Sequence, residues 1–249
     1  MKGKVESLLT QGKLPRHIVV IMDGNGRWAN RKGFDRISGH KEGMKSVKSV
    51  VKASRELGIK AVTLFAFSAQ NWKRPKSEVN ALMELLKEYL IKEVNRLVEK
   101  EIKLNAIGRL WELPSDVYEV LVKTIEKTKL CKEMTLTLAL SYGGREEIID
   151  AIKKIISDGI SPEDLHEEIF SQFLYTSNLP EPDLLIRTSG EIRLSNFLLW
   201  QLAYAEIYVT KTLWPDFKKK HLIRALINYQ NRERRFGLTS DQIRKREVN

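Results

Sequence analysis

The sequence predicts an α/β fold, a single domain with a central, mostly parallel six-stranded sheet flanked by helices. Three observations carry that prediction. Unalternated apolar runs such as Ile18-Val19-Val20-Ile21-Met22 and Ala61-Val62-Thr63-Leu64-Phe65-Ala66-Phe67 read as strands buried on both faces, which a helix-covered parallel sheet requires. Longer segments with apolar residues at helical spacing separate them. Polar and basic clusters follow several of the strands, and in open α/β sheets ligands bind at the carboxyl ends of strands.

In chain order, residues 1–16 are a short basic lead-in, and the first strand stops at Asp23-Gly24-Asn25-Gly26-Arg27-Trp28. Met44, Val47, Val51 and Leu57 mark a helix ended by Gly58, with Lys41, Lys45, Lys48, Lys52 and Arg55 on its other face, most simply a solvated one. The second strand, 61–67, runs into Ser68-Ala69-Gln70-Asn71-Trp72-Lys73-Arg74-Pro75. Residues 77–99 form an amphipathic helix, 102–108 a third strand, 115–129 a helix opened by Ser115, and 135–140 a fourth strand ending at Ser141-Tyr142-Gly143-Gly144-Arg145. A helix over 145–157 and a second one opened by Ser161-Pro162-Glu163-Asp164 lead to a short strand, 184–186. Ser195 is placed to cap a helix carrying Phe197, Leu198, Trp200 and Ala203. A sixth strand, 207–210, follows Glu206, and a helix from Asp216 precedes a basic tail. No repeat, low-complexity tract or linker divides the chain.

With 42% hydrophobic residues in 249, the chain can bury a substantial core, and a net charge of +11 calls for an anionic partner. Nucleic acid, an acidic membrane surface and a phosphorylated small molecule all satisfy it. A single cysteine, Cys131, excludes an intrachain disulfide and fits a reducing compartment. With no signal-like or membrane-spanning run, the expectation is a cytoplasmic protein.

Asp23 is the informative residue. Glycines at a strand tip let backbone N–H groups approach an anion, but a carboxylate beside a phosphate repels it unless a divalent cation such as Mg²⁺ stands between them. Arg27, Arg31, Lys32, Arg36, His40 and Lys41 follow within a short span and favour that arrangement. Strand ends near Asp23, Ser68, Arg187 and Glu206 are expected on one rim. That constellation of acids, arginines and a histidine suits two diphosphates and a metal. Phe65, Ala66, Phe67, Leu82, Leu86, Ile107 and Leu138 line a greasy cavity behind it or are plain core.

Other readings of the same residues are weaker. Gly24-Asn25-Gly26-Arg27-Trp28-Ala29 fits a dinucleotide pattern, yet the second strand ends at Phe67-Ser68 with no acid for a ribose. As a calcium loop it fails, because the sixth position is Trp28. His40 alone is more often a capping or surface histidine, Glu206 is able simply to pair with a lysine, and Trp200 to pack or meet another subunit. No zinc pattern is present.

Taken together the blocks resemble a known family, the cis-prenyltransferases of the undecaprenyl diphosphate synthase type. The matching stretches are 17–29, Gly39-His40, Phe65-Ala66-Phe67-Ser68, 71–75, 141–145, 186–201, Ala205-Glu206, 213–217 and 232–237, in the family's order. The resemblance implies a homodimer whose sheet and helices enclose a hydrophobic tunnel. It implies addition of isopentenyl diphosphate units to an allylic diphosphate, farnesyl or geranylgeranyl, giving a medium- or long-chain polyprenyl diphosphate with cis double bonds. Asp23 is then the essential acid and, with Glu206, a ligand of Mg²⁺. Gly24, Asn25, Gly26, Arg27, Arg36, His40 and Arg74 bind the allylic diphosphate, with Trp28 beside the prenyl chain. Ser68, Ala69, Gln70, Asn71 and Trp72 lie between the substrates. Arg187, Arg193, Leu194 and Ser195 hold isopentenyl diphosphate, with Arg234 or Arg235 reaching in from a partner subunit.

Two positions depart from the family's pattern. Gln70 stands where many bacterial members carry an acid, and Ile192 where a polar residue, often His or Gln, is usual. A histidine metal ligand is therefore absent at 192. Asn71 is expected as a positioner, because a neutral amide is a poor base, and the proton goes to substrate diphosphate or Asp23. The rival readings are a nucleic-acid-binding protein, resting on +11 and the 244–246 tail, and a nicotinamide-dependent reductase. Neither explains the paired acids, so no nucleic-acid partner is expected. Association with a membrane surface through a lipid product is left open.

Overall fold

A computed structural model describes residues 13–234 together with Thr239 and Gln242. Most of the lead-in, Arg235 and the 244–246 tail lie outside the described residues. Six strands, β1 (His17–Ile21), β2 (Ala61–Ser68), β3 (Ile102–Ile107), β4 (Met134–Tyr142), β5 (Leu184–Arg187) and β6 (Glu206–Val209), form one sheet in the order β3-β4-β2-β1-β5-β6. Every neighbouring pair is parallel. The chain leaves β1 for β2 on one side and returns to β5 on the other, so the carboxyl tips of β1 and β5 flank a topological switch point, where open α/β sheets form crevices.

Alternation along β1 divides the core. Ile18 and Val20 pack with residues of α2 (Arg36–Glu56), α3 (Lys76–Glu99), α4 (Ser115–Thr128) and α7 (Lys219–Gln230). Val19 and Ile21 face the other side, with Ala139, Tyr142, Leu185, Phe197 and Leu198. Two short helices, α1 (Asn25–Arg31) and α6 (Glu167–Phe173), and α5 (Gly144–Ser157) complete the set. On α2, Lys45, Lys48 and Lys52 pair with Glu42, Glu93 and Glu56, as a solvated lysine face does.

Several elements differ from the sequence reading. The Asp23 loop is shorter than expected, because Gly24 at φ +108° turns the chain directly into α1. α2 begins at Arg36, eight residues before its first apolar marker, since the Asp35 side chain accepts the Ser38 N–H at 2.7 Å. The segment after Ser195 is no helix: Ser195, Asn196 and Leu198 all have positive φ, and the Ser195 hydroxyl accepts from Arg187 instead of capping. Ser161 opens only a 3₁₀ turn, Pro162–Asp164, and α6 starts beyond it. Asp216 likewise closes a 3₁₀ turn, Trp214–Asp216, ahead of α7.

Candidate active site

The tip of β1 is pinned from three directions. Asp23 donates its N–H to the Ile21 carbonyl, and its own carbonyl accepts from Trp214 N–H at 3.1 Å and the Thr188 hydroxyl at 2.6 Å. Its carboxylate is thereby held between Arg27 Nη2 at 3.1 Å and Arg187 Nη2 at 2.9 Å. Burial works to raise the Asp23 pKa, but the Arg187 hydrogen bond and the charges of Arg27 and Arg187 outweigh it, leaving the carboxyl below its usual range.

α1 and α2 form the wall beside Asp23. Gly39 sits where a side chain would overlap the Asn25 backbone carbonyl, which lets the two helices approach closely. Arg36 and Arg74 reach the same Glu78 oxygen, at 3.1 Å and 3.0 Å, so two guanidinium groups share one counter-charge. Burial lowers the Arg74 pKa, with Arg36 adding to the effect. Burial together with Arg74 holds His40 neutral, at about 4. Its Nε2 is buried without a partner, as are Asn25 Oδ1 and Arg187 Nε. Of these, Arg187 Nε and a protonated His40 Nε2 are able to donate to an anion, whereas Asn25 Oδ1 only accepts.

Two cavities meet here. A polar one of about 270 Å³ is lined by Asp23, Gly24, Asn25, Gly26, Arg27, Arg36, His40 and Arg74. An apolar one of about 160 Å³ lies between the sheet, α2 and α3 and shares Met22, Asn25, His40 and Arg74 with the first. Of the seven residues expected to line it, Phe65, Ala66, Phe67, Leu82, Leu86 and Leu138 do so. Ile107 does not, because it points to the other sheet face and packs with Ala139 and Phe197. Trp28 stands outside the apolar cavity, its indole N–H donating to Asp216 at 2.9 Å.

Beyond β2, Ser68 leads a 3₁₀ turn, Ala69–Lys73, with its backbone N–H donated to Asn71 Oδ1 at 3.2 Å. Asn71 lines the apolar cavity, and Gln70 donates outward to Glu146 at 3.1 Å. On the opposite flank Arg187, its side chain 4% exposed, donates to Ser195 Oγ at 2.8 Å and to the Arg193 carbonyl. Arg193 itself is exposed and pairs with Glu191, which also takes Arg27 at 2.8 Å. Leu194 packs into the core behind this loop, and Ile192 is 86% exposed.

Glu206 is the exception. In register it stands opposite Leu184, which stands opposite Ile18, so it lies at the amino end of the sheet. Five residues of β1 separate that level from Asp23, roughly 15 Å of strand. Glu206 opens β6, and because every strand of the sheet runs parallel, an acid at or before a strand's first residue lies at the end opposite the rim. There it pairs with Arg232 at 2.7 Å, and nearby Arg234 pairs with Asp183. Within one chain Asp23 and Glu206 therefore do not share an ion.

Three further carboxylates stand at the rim, none of them among the expected site residues: Glu78, Glu191 and Asp216. Glu78 carried a signal, since it stands four residues after Arg74 at the start of a helix. Among the described residues no three of His, Cys, Asp and Glu converge. One carboxylate fits Mg²⁺ when most of its shell is diphosphate oxygen and water, the usual habit of that ion.

A doubly wound sheet whose switch point joins an arginine-rich polar pocket to an apolar cavity defines a protein for amphiphilic phosphate esters. Comparison with known sequences narrows the class: residues 21–237 match the family described as "Putative undecaprenyl diphosphate synthase", and the chain belongs to that family. It is 52% identical to an isoprenyl transferase of Geobacter sulfurreducens over 242 residues, 96% of this chain and 98% of the relative. An isoprenyl transferase of Chlorobaculum tepidum is 51% identical over 247 residues, 98% of this chain and 93% of the relative. Among solved structures, lavandulyl diphosphate synthase from Lavandula x intermedia, in complex with dimethylallyl diphosphate, superposes with a TM-score of 0.87 at 39% identity, covering 90% of this chain and 98% of that one. A probable undecaprenyl diphosphate synthase from Campylobacter jejuni gives 0.76 at 38% identity, covering 90% and 99%.

Proposed function

We infer that this chain is a cis-prenyltransferase that condenses isopentenyl diphosphate units onto an allylic diphosphate. One observation carries the reading: the arginine-rich pocket around Asp23 opens into an apolar cavity through shared walls at Met22, Asn25, His40 and Arg74. The allylic diphosphate takes the polar pocket, against Arg27, Arg36, His40 and Arg74, and its hydrocarbon enters the apolar cavity. Trp28, held by Asp216 outside that cavity, lies beside the chain at the entrance. Isopentenyl diphosphate takes Arg187, Arg193 and Ser195 on the opposite flank. Ser68, Ala69, Gln70, Asn71 and Trp72 form the turn between them.

In the reaction the allylic carbon–oxygen bond breaks, a carbon–carbon bond forms to the second substrate, and a proton leaves. Positive side chains fixed in advance stabilise charge building on the departing diphosphate, and an apolar wall keeps water from the allylic carbon. Asn71 accepts from Ser68 N–H and serves as a positioner. Asp23, made less basic by two arginines, is a poor proton acceptor, so the departing diphosphate takes the proton. Asp23 would hold Mg²⁺, which when bound would supply further charge neutralisation.

The finer expectations belong to the same reading. Burying each five-carbon unit gives several methylenes of drive at about 0.8 kcal/mol apiece, so the chain stays in a cavity that widens into a tunnel. Ala66 in its lining leaves room for a medium or long product from a farnesyl or geranylgeranyl primer. A homodimer brings a second Glu206 toward the metal. Among the described residues no helix is long and apolar enough to cross a membrane, and a cytoplasmic enzyme with a lipid product is the reading adopted. Incubation with radiolabelled isopentenyl diphosphate, allylic primers and Mg²⁺ is expected to yield labelled lipid longer than the primer. Absence of incorporation with every primer overturns the reading.

A further inference from the structure

The turn bearing Asn71 and Arg74 is anchored from behind by a polar relay that runs from half-buried Trp72 through buried Ser141 to Glu112 at the surface. The Trp72 indole N–H donates to Ser141 Oγ at 2.7 Å, and the Ser141 hydroxyl donates to a Glu112 carboxylate oxygen. Arg109 stands 3.8 Å from the other Glu112 oxygen and is itself fixed by a two-point pair with Asp150 at 2.8 and 2.9 Å. Ser141 is fully buried.

Two backbone features hold the relay together at a cost. Ser141 adopts φ +44°, a conformation non-glycine residues seldom hold. Gly108, at φ +113°, lets the chain after β3 run against the Leu140 carbonyl, where any side chain would overlap it, and that approach delivers Glu112 to Ser141. A tryptophan N–H buried merely for packing needs one acceptor, which an unstrained carbonyl could supply. Here a strained serine is backed by a carboxylate, which polarises both hydrogen bonds in one direction. Trp72 meets the Phe67 ring edge-on, 4.9 Å between centroids, and Phe67 lines the apolar cavity.

We propose that Ser141 and Glu112 are positioning residues, which fix the Trp72 indole and through it the placement of Asn71 and Arg74 on the substrates. The proposal rests on the prenyltransferase reading for its kinetic consequence, but not for its spectroscopic one. Ser141→Gly removes the hydroxyl while relieving the positive φ, so the variant folds with a thermal midpoint near that of the wild type. Its kcat for isopentenyl diphosphate incorporation is expected to fall about ten- to a hundredfold, the scale of a small misplacement of reacting groups. Glu112→Ala should lose as much and Glu112→Gln, which still accepts from Ser141, should recover most of it. If the effect passes through Trp72, Ser141→Gly with Trp72→Phe loses no more than Trp72→Phe alone.

The indole N–H resonance of Trp72 in ¹H–¹⁵N spectra, assigned by its disappearance in Trp72→Phe, gives a readout independent of turnover. It should shift in Ser141→Gly and Glu112→Ala and return in Glu112→Gln. An unmoved resonance, an unchanged kcat in Ser141→Gly, or losses that multiply in the double variant each overturn the relay. A wild type that incorporates nothing overturns the prenyltransferase reading instead, while the resonance still decides the relay.

Discussion

Arg187 Nη2 lies 2.9 Å from Asp23 Oδ2, across the tips of β5 and β1, with the guanidinium 4% exposed and the carboxylate 26% exposed. An acid from one strand thus sets the charge balance of a cation from its neighbour, and both face the site where a diphosphate would bind. Asp23→Ala is expected to abolish isopentenyl diphosphate incorporation. Losing a charged hydrogen bond should cost about 2 kcal/mol of stability, within the margin of an ordinary domain. Incorporation at the wild-type rate by a folded Asp23→Ala protein removes this acid from the mechanism.

Gly39 makes a different demand. Its Cβ would overlap the Asn25 backbone carbonyl, so α1 and α2 can meet only with glycine at this crossing. Gly39→Ala must push α1 outward and move Asn25 and His40 apart. The expected penalty is about 3 kcal/mol, or a thermal midpoint lower by roughly 10 °C for a domain of this size. Weaker primer binding, measured by titration, should accompany it. A variant with the wild-type midpoint shows that the crossing tolerates the extra carbon.

Two histidines are held neutral by burial, each with its pKa lowered from 6.5 to about 4. His17 sits at the start of β1 between the Pro180 carbonyl and Thr63 Oγ1, and His40 at the mouth of the site. Between those values the unfolded chain binds more protons than the folded one. Stability is therefore full well above pH 6.5 and declines as pH falls toward 4, by at most about 1.4 kcal/mol per pH unit for each histidine. Denaturant titrations between pH 5 and 6.5 should show such a slope, and His40→Gln should reduce it. A flat profile would mean that neither ring is kept neutral.

Much of this was legible in the chain. Apolar runs at 18–22, 61–67 and 135–140 reported buried strands because both faces of a parallel sheet are covered. That Arg74, His40 and Arg187 gather near the tip of β1 is readable because each follows a strand or lies in a basic cluster after one. What escaped depended on contacts distant in sequence. Ser195 looked like a cap because nothing local reveals that Arg187 takes its hydroxyl. Asp23 and Glu206 were joined on the assumption that an acid beside a strand lies at its carboxyl end. A strand that follows Glu206 in a parallel sheet already puts this acid at the amino end, and the pairing of Glu206 with Leu184 finds it there.

That register makes Glu206 the sharpest test of assembly. In its own chain it forms a half-buried pair with Arg232, worth about 1 kcal/mol, so Glu206→Ala should leave the fold intact. If it nevertheless serves a divalent metal bound at Asp23, it must come from a second copy, and Glu206→Ala alone should be inactive. Mixed dimers of Asp23→Ala and Glu206→Ala chains then contain one site with both acids missing and one with both present. At equal amounts and after subunit exchange, roughly a quarter of wild-type incorporation should return, since half the dimers are mixed and each has one working site of two. Exchange verified by mass with no recovered activity excludes a site shared between copies, and full activity of Glu206→Ala by itself removes Glu206 from the metal's ligands.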